Sequence, residues 1–232
     1  MWKVLRASGT PPFLVQLLED LHPGTKSCVR ADWQLSEPFD TTSGIRQGCV
    51  LAPALFCIAM DWILNRCAEF MGVTVGSTCF TDQAYADDGV LFTVCLSKWP
   101  EILTTFDVAA ETMGLHTSWQ KTKIRNIGHG TLPSSVYMQA SGQTVEAVDQ
   151  FVYLDSSVNS DGRSTHEIHR RIGMASGIMG RLSSVWQQSR LSLATKLRVY
   201  NSLVLSVLLY GCDTWTILKS DERKLEAFHK SC

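Results

Sequence analysis

Thr81-Asp82-Gln83-Ala84-Tyr85-Ala86-Asp87-Asp88-Gly89-Val90-Leu91-Phe92-Thr93-Val94 is a strand-like run interrupted at its centre by Tyr85-Ala86-Asp87-Asp88. The strand-like run resumes after the break, so the stretch predicts a hairpin whose tip carries two carboxylates. Neighbouring aspartates repel each other and are costly to desolvate, so a chain that sets them between apolar strands either leaves a turn in water or holds a cation. Tyr-x-Asp-Asp alone arises by chance about once per hundred chains of this length at average residue usage. The surrounding sequence has to decide between the two readings.

Upstream stands Gly44-Ile45-Arg46-Gln47-Gly48-Cys49-Val50-Leu51-Ala52-Pro53-Ala54-Leu55-Phe56, and downstream Gly114-Leu115 closes a predicted helix ahead of Lys121-Thr122-Lys123. Together with the acidic hairpin these resemble a reverse transcriptase, and their order, their spacing and Ala86 resemble the LINE-type (non-LTR) retrotransposon enzymes. The resemblance runs on through Phe151-Val152-Tyr153-Leu154 to Leu209-Tyr210-Gly211-Cys212-Asp213-Thr214-Trp215. It implies an α+β fold: a partial right-hand polymerase palm, an antiparallel sheet with packed helices, followed by an α-helical thumb. Residues 1–158 are then a partial palm with a remnant of the fingers, and 159–232 a thumb or connector cut short at its C-terminus.

The 232 residues are 45% hydrophobic and 19% charged, enough to bury a core in one large or two small domains. Eight cysteines, at 28, 49, 57, 67, 79, 95, 212 and 232, form no Cys-x-x-Cys pair, which speaks against a zinc site or a secreted disulfide framework and predicts mostly buried, reduced thiols. The N-terminus lacks the apolar core of a signal peptide, and the apolar run Leu203–Tyr210 is too short to span a bilayer. The expectation is an intracellular protein, cytoplasmic or nuclear, with no membrane partner. Net charge is only −1, yet residues 31–115 hold eleven Asp or Glu against three Lys or Arg, while 161–200 hold two against seven. Ordinary solvated faces would explain this, and so would a metal-holding half followed by a nucleic-acid-facing half.

Periodicity predicts an amphipathic helix over 11–22, with Phe13, Leu14, Leu17, Leu18 and Leu21 as its core stripe, and a short hairpin within 27–39. A strong helix starts with Pro53 in its first turn and runs to about Phe70, and another follows Pro100 with Gly114 at its end. Short strands are expected near 124–127, 136–139, 145–148 and 151–154. Beyond Asn159-Ser160-Asp161-Gly162 the pattern turns helical, over roughly 165–187 and 192–209, with Leu182, Val185 and Trp186 as core.

The resemblance also assigns roles. Asp87 and Asp88 become the catalytic Mg2+ ligands of a two-metal nucleotidyl transfer, Asp87 the principal one, with Tyr85 under the primer end. Arg46, Gln47 and Gly48 lie beside the incoming nucleotide and template. Lys121 stands near the triphosphate as a proton donor or plain phosphate contact. Phe151, Tyr153 and Leu154 form the primer grip, and Arg163, Arg170, Arg171, Arg181, Lys196 and Arg198 contact the duplex backbone. Deoxynucleoside triphosphates, an RNA template and a DNA primer are the implied partners.

The family's third catalytic aspartate stands in a Phe-Asp strand ahead of the helix that begins here near residue 11, and Asp20, Asp32 and Asp40 are not in that context. Ser118 and Asp155 also depart from the family's Asn and turn glycine. Two functions follow as expectations: a reverse transcriptase fragment that is inactive as an isolated chain, or a non-catalytic remnant that at most binds nucleic acid through its basic helical part.

Overall fold

The computed structural model describes residues 1–41, 48–128, 135–138 and 142–231. The chain forms two compact units, Met1–Thr122 with Val136–Thr144, and Lys123–Ser135 with Val145–Cys232.

In the first unit, α1 (Trp2–Ala7) and α2 (Pro12–Leu21) precede two nested ladders, β1 (Lys26–Ser27) paired with β4 (Phe39–Asp40) and β2 (Arg30–Ala31) with β3 (Gln34–Leu35). Helix α3 (Ala52–Cys67) takes Pro53 in its first turn, where the missing N–H costs nothing, and ends in a 3-10 turn over Ala68–Phe70. Antiparallel pairs β5 (Val73–Val75) with β6 (Thr78–Phe80) and β7 (Asp82–Tyr85) with β8 (Asp88–Leu91) lead to α4 (Trp99–Thr112). Gly114, at φ +75°, allows the α4 C-terminus to close through Gly114 N–H to the Glu111 carbonyl and Leu115 N–H to that of Ala110.

Met60 and Ile63 of α3 meet Ala109 and Ala110 of α4 in one core, with Phe56, Trp62, Phe106, Met113 and Leu115 around it. Leu5, Val15 and Leu55 join α1, α2 and α3 in another. This second core corrects the expected α2 stripe. Val15 is fully buried and Leu18 packs beside it, whereas Phe13 is 70% and Leu17 55% exposed, because α1 and α3 cover only the Val15 side of the helix.

The chain continues through β9 (Lys123–Ile124), β10 (Val136–Met138) and β11 (Gln143–Ala147). In the second unit β11 runs parallel to β9, and β12 (Gln150–Tyr153) pairs with β13 (Ser156–Asn159), a strand not expected from its serines. The expected 165–187 helix is α5 (Thr165–Arg181) and α6 (Ser183–Trp186), broken at Leu182. The 192–209 stretch is α7 (Leu193–Val199), a π-helical segment (Tyr200–Leu205) and α8 (Ser206–Leu208). A final helix, α9 (Lys219–Ser231), went unpredicted, although Asp221 and Glu222 in its first turn and Leu225 and Phe228 one turn apart mark it. Ala175, Tyr200, Val204 and Leu208 centre this unit's core, with Leu182 and Trp186 packed against it as expected.

No helix among the described residues is long and apolar enough to cross a membrane. The described cysteines are all free, but only Cys67 is buried, so the expectation of mostly buried thiols fails.

Candidate functional site

The β7–β8 hairpin pairs Asp82 with Leu91, Gln83 with Val90, Ala84 with Gly89 and Tyr85 with Asp88, leaving Ala86-Asp87 as a two-residue turn. Ala86 sits at φ +53°, and a positive φ at the first of two turn residues matches the right-handed twist of the strands it joins. Asp87 and Asp88 are therefore adjacent at the tip, both exposed, and Tyr85 beside them is 66% exposed. Helix α3 approaches this hairpin at one point, through Met60. A Cβ on Gly89 would stand 3.9 Å from Met60 Cε. At the far end burial pushes the Cys67 thiol up to about 11, reinforced by the negative charge of Asp82 on β7.

Two carboxylates supply the hard oxygen donors that Mg2+ takes, so the donors fit in kind. They do not fit in number. No group of three or more His, Cys, Asp or Glu side chains among the described residues is placed to hold a metal.

Of the other expected first-unit residues, Arg46 and Gln47 lie outside the described residues. Gly48 is exposed at φ +85°, a conformation that a side chain would strain. Lys121 is exposed in a turn closed by its own N–H to the Ser118 carbonyl.

In the second unit Phe151 and Tyr153 lie half-buried on β12, but Leu154 is not a strand residue. With Asp155 it forms the turn to β13, at φ +47° and +60°. This turn is held from α5 and from the segment after α8. Arg171 donates through Nε to Glu167 (2.6 Å) and through Nη2 to the Asp155 carbonyl, and its Nη2 lies 3.1 Å from the Asp155 carboxylate. Arg170 bridges Glu167 and Asp155 as well, and Ser157 N–H donates to Glu167 at 2.8 Å. The Tyr210 ring stands 4.5 Å from the Arg171 guanidinium, and its hydroxyl donates to the Leu154 carbonyl. Gly211 admits this approach, since a Cβ there would come within 2.9 Å of Ser156 Oγ.

The network overturns part of the duplex-contact set. Arg171 is 1% exposed, with its Nε and Nη2 held by internal acceptors, so it cannot reach a phosphate, and Arg170 is largely committed to the same carboxylates. Lys196 donates to the Trp186 carbonyl at 2.6 Å. Arg163, Arg181 and Arg198 stay exposed. Burial pushes the Glu167 carboxyl up, but the hydrogen bonds from Arg170, Arg171 and Ser157 N–H outweigh it and hold the group below the ordinary carboxylate range. Glu167 was missed at the sequence level, although its i+3 and i+4 spacing to Arg170 and Arg171 marks an ion-paired helix face.

Against known families, the profile described as reverse transcriptase (RNA-dependent DNA polymerase) matches residues 2–167, a span containing both hairpins. The chain belongs to that family. Members use Mg2+ and act on nucleic-acid template, primer and deoxynucleoside triphosphates. Among curated relatives, the retrovirus-related Pol polyprotein from the type-2 retrotransposable element R2DM of Drosophila melanogaster is 34% identical over 92 residues, 40% of this chain and 9% of that protein. A putative uncharacterized transposon-derived protein of Caenorhabditis elegans is 27% identical over 158 residues, 65% of this chain and 54% of that protein. The chain thus spans only part of either relative, and the match to the family stops within α5, so α6 to α9 are characterised by their geometry alone.

Proposed function

We propose that this chain is a palm-and-thumb portion of a non-LTR retrotransposon reverse transcriptase, with the β7–β8 tip as its metal-binding corner. The observation that carries the reading is the pair Asp87-Asp88 at the tip of a hairpin closed by the Tyr85–Asp88 pair, with Met60 of α3 near Gly89 on the returning strand. In this reading Asp87 is the principal Mg2+ ligand and Asp88 its partner. A cation held there would supply electrostatic stabilisation at the reacting phosphate. Tyr85 offers a ring surface to the primer end, Lys121 a cation to the triphosphate, and Gly48 close backbone approach to the nucleotide. Phe151 and Tyr153 grip the primer strand, and the DNA primer and RNA template run past Arg163, Arg181 and Arg198. The palm ends near residue 158 and the thumb begins there.

Nucleotidyl transfer depends on positioning and preorganised charge. Two adjacent carboxylates on an exposed turn cannot fix two cations by themselves, so the isolated 232-residue chain is expected to give no detectable extension of a DNA primer on an RNA template, with Mg2+ or Mn2+. A primer-extension gel set beside the Asp87→Ala, Asp88→Ala chain tests this. Extension by the unaltered chain and not by the double variant would mean that a third carboxylate completes the site. The incomplete donor set also favours a second reading, a non-catalytic remnant that binds nucleic acid through its helical unit, for which the double variant would bind template-primer as tightly as the parent.

A further inference from the structure

The hairpin closed by β2 and β3 ends in Asp32 and Trp33, at φ +47° and +66°. Two successive positive φ values define the turn type that takes Asn-Gly or Asp-Gly, so the second position suits glycine and strains any side chain. Here it holds the bulkiest side chain available, and Trp33 is 90% exposed, packed into no core. Neither local propensity nor burial accounts for it. The register pairs Arg30 with Leu35, which places both on one face of the ladder, and the Arg30 guanidinium stands 5.5 Å from the centre of the Trp33 ring. An open indole with a cation against it is thus displayed at the tip of a short, two-ply projection.

We propose that Trp33 is a stacking platform for an unpaired base of single-stranded nucleic acid, with Arg30 placed to meet the adjoining phosphate. An indole face takes any base without reading its edge, and a neighbouring guanidinium adds both cation–π and phosphate contacts. A protein partner fits less well. A two-residue turn bearing Trp33, with Arg30 and Leu35 on the ladder behind it, offers far less than the roughly 800 Å2 per side of a stable protein interface. The inference rests on the reading that the chain handles nucleic acid, and it adds a contact remote in sequence from the acidic hairpin.

The test is fluorescence anisotropy with the full chain and a dye-labelled single-stranded RNA of about twelve nucleotides, within the usual site size of such platforms, set beside a blunt duplex at the same salt. Trp33→Gly is the informative variant because glycine relaxes the turn, so it should melt no lower than the parent. The expected result is a roughly tenfold loss of single-strand affinity, typical of removing one stacked base, with duplex affinity unchanged and Trp33→Phe retaining most of the binding. Unchanged single-strand affinity in Trp33→Gly overturns the proposal while leaving the nucleic-acid reading intact, as does an equal loss for single strand and duplex. Failure of the parent chain to bind either oligonucleotide overturns both. Concentration-dependent self-association abolished by Trp33→Gly, with RNA affinity unchanged, would reassign the tip to protein contact.

Discussion

Arg171 keeps its charge in the interior because Glu167, itself 2% exposed, and Asp155 surround the guanidinium with acceptors. Removing one member of such a set costs more than the set contributes, since the remaining charge is left buried without a counter-ion. Arg171→Ala should therefore destabilise the chain by about 3–5 kcal/mol in a urea titration, while Arg198→Ala, on the exposed side of α7, should stay within about 0.5 kcal/mol. Acid provides a second handle on the same residues. The folded Glu167 carboxyl titrates below its ordinary value of 4.5, so its stabilising contribution is present above that value and is lost as pH falls through the lowered one. The stability gap between the parent and Glu167→Gln, measured by urea titration, should narrow steadily once pH drops below about 4.5.

At the level of elements, the two hairpin turns show what pattern can and cannot deliver. The β7–β8 turn is legible because an acidic doublet interrupts a strand-like run that resumes as Val90-Leu91-Phe92. Its backbone carries strain at Ala86, and Ala86→Gly should raise the melting temperature, the gain being on the order of 1 kcal/mol. A lower melting temperature would mean that the Ala86 methyl makes contacts that matter more than its φ. The β12–β13 turn is not legible in the same way: Leu154 at positive φ carries no turn signal, and the serines of β13 carry no strand signal. Tertiary clamps impose the conformation, namely Arg170, Arg171 and the Tyr210 hydroxyl. The same limit explains α2. Periodicity groups Phe13, Leu14, Leu17, Leu18 and Leu21 on a broad arc, but which part of the arc is covered depends on where α1 and α3 lie. A linear pattern likewise shows that Glu167 can pair with Arg170 and Arg171, but not that the paired face is buried rather than open to solvent.

For the molecule as a whole, a net charge of −1 means that nucleic-acid affinity has to come from local cations rather than from bulk attraction. Binding of a primer-template duplex should fall steeply with salt, and Arg181→Gln and Arg198→Gln should each lower the slope of log affinity against log salt by about one, by filter binding. Identical slopes in parent and variants would remove both arginines from the interface. One buried thiol also turns the chain into its own unfolding reporter. Cys67 lies between α3 and α4, its Sγ facing the Ile63 and Ile102 carbonyls, and its thiol is pushed up to about 11, so the reactive thiolate is scarce and shielded in the native state. Exposed Cys28, Cys57 and Cys79 have no such shelter. A pulse of iodoacetamide followed by peptide mass spectrometry should alkylate those three promptly and Cys67 only at the rate at which the α3–α4 core opens, giving a clock for that opening without a spectroscopic probe or an engineered label.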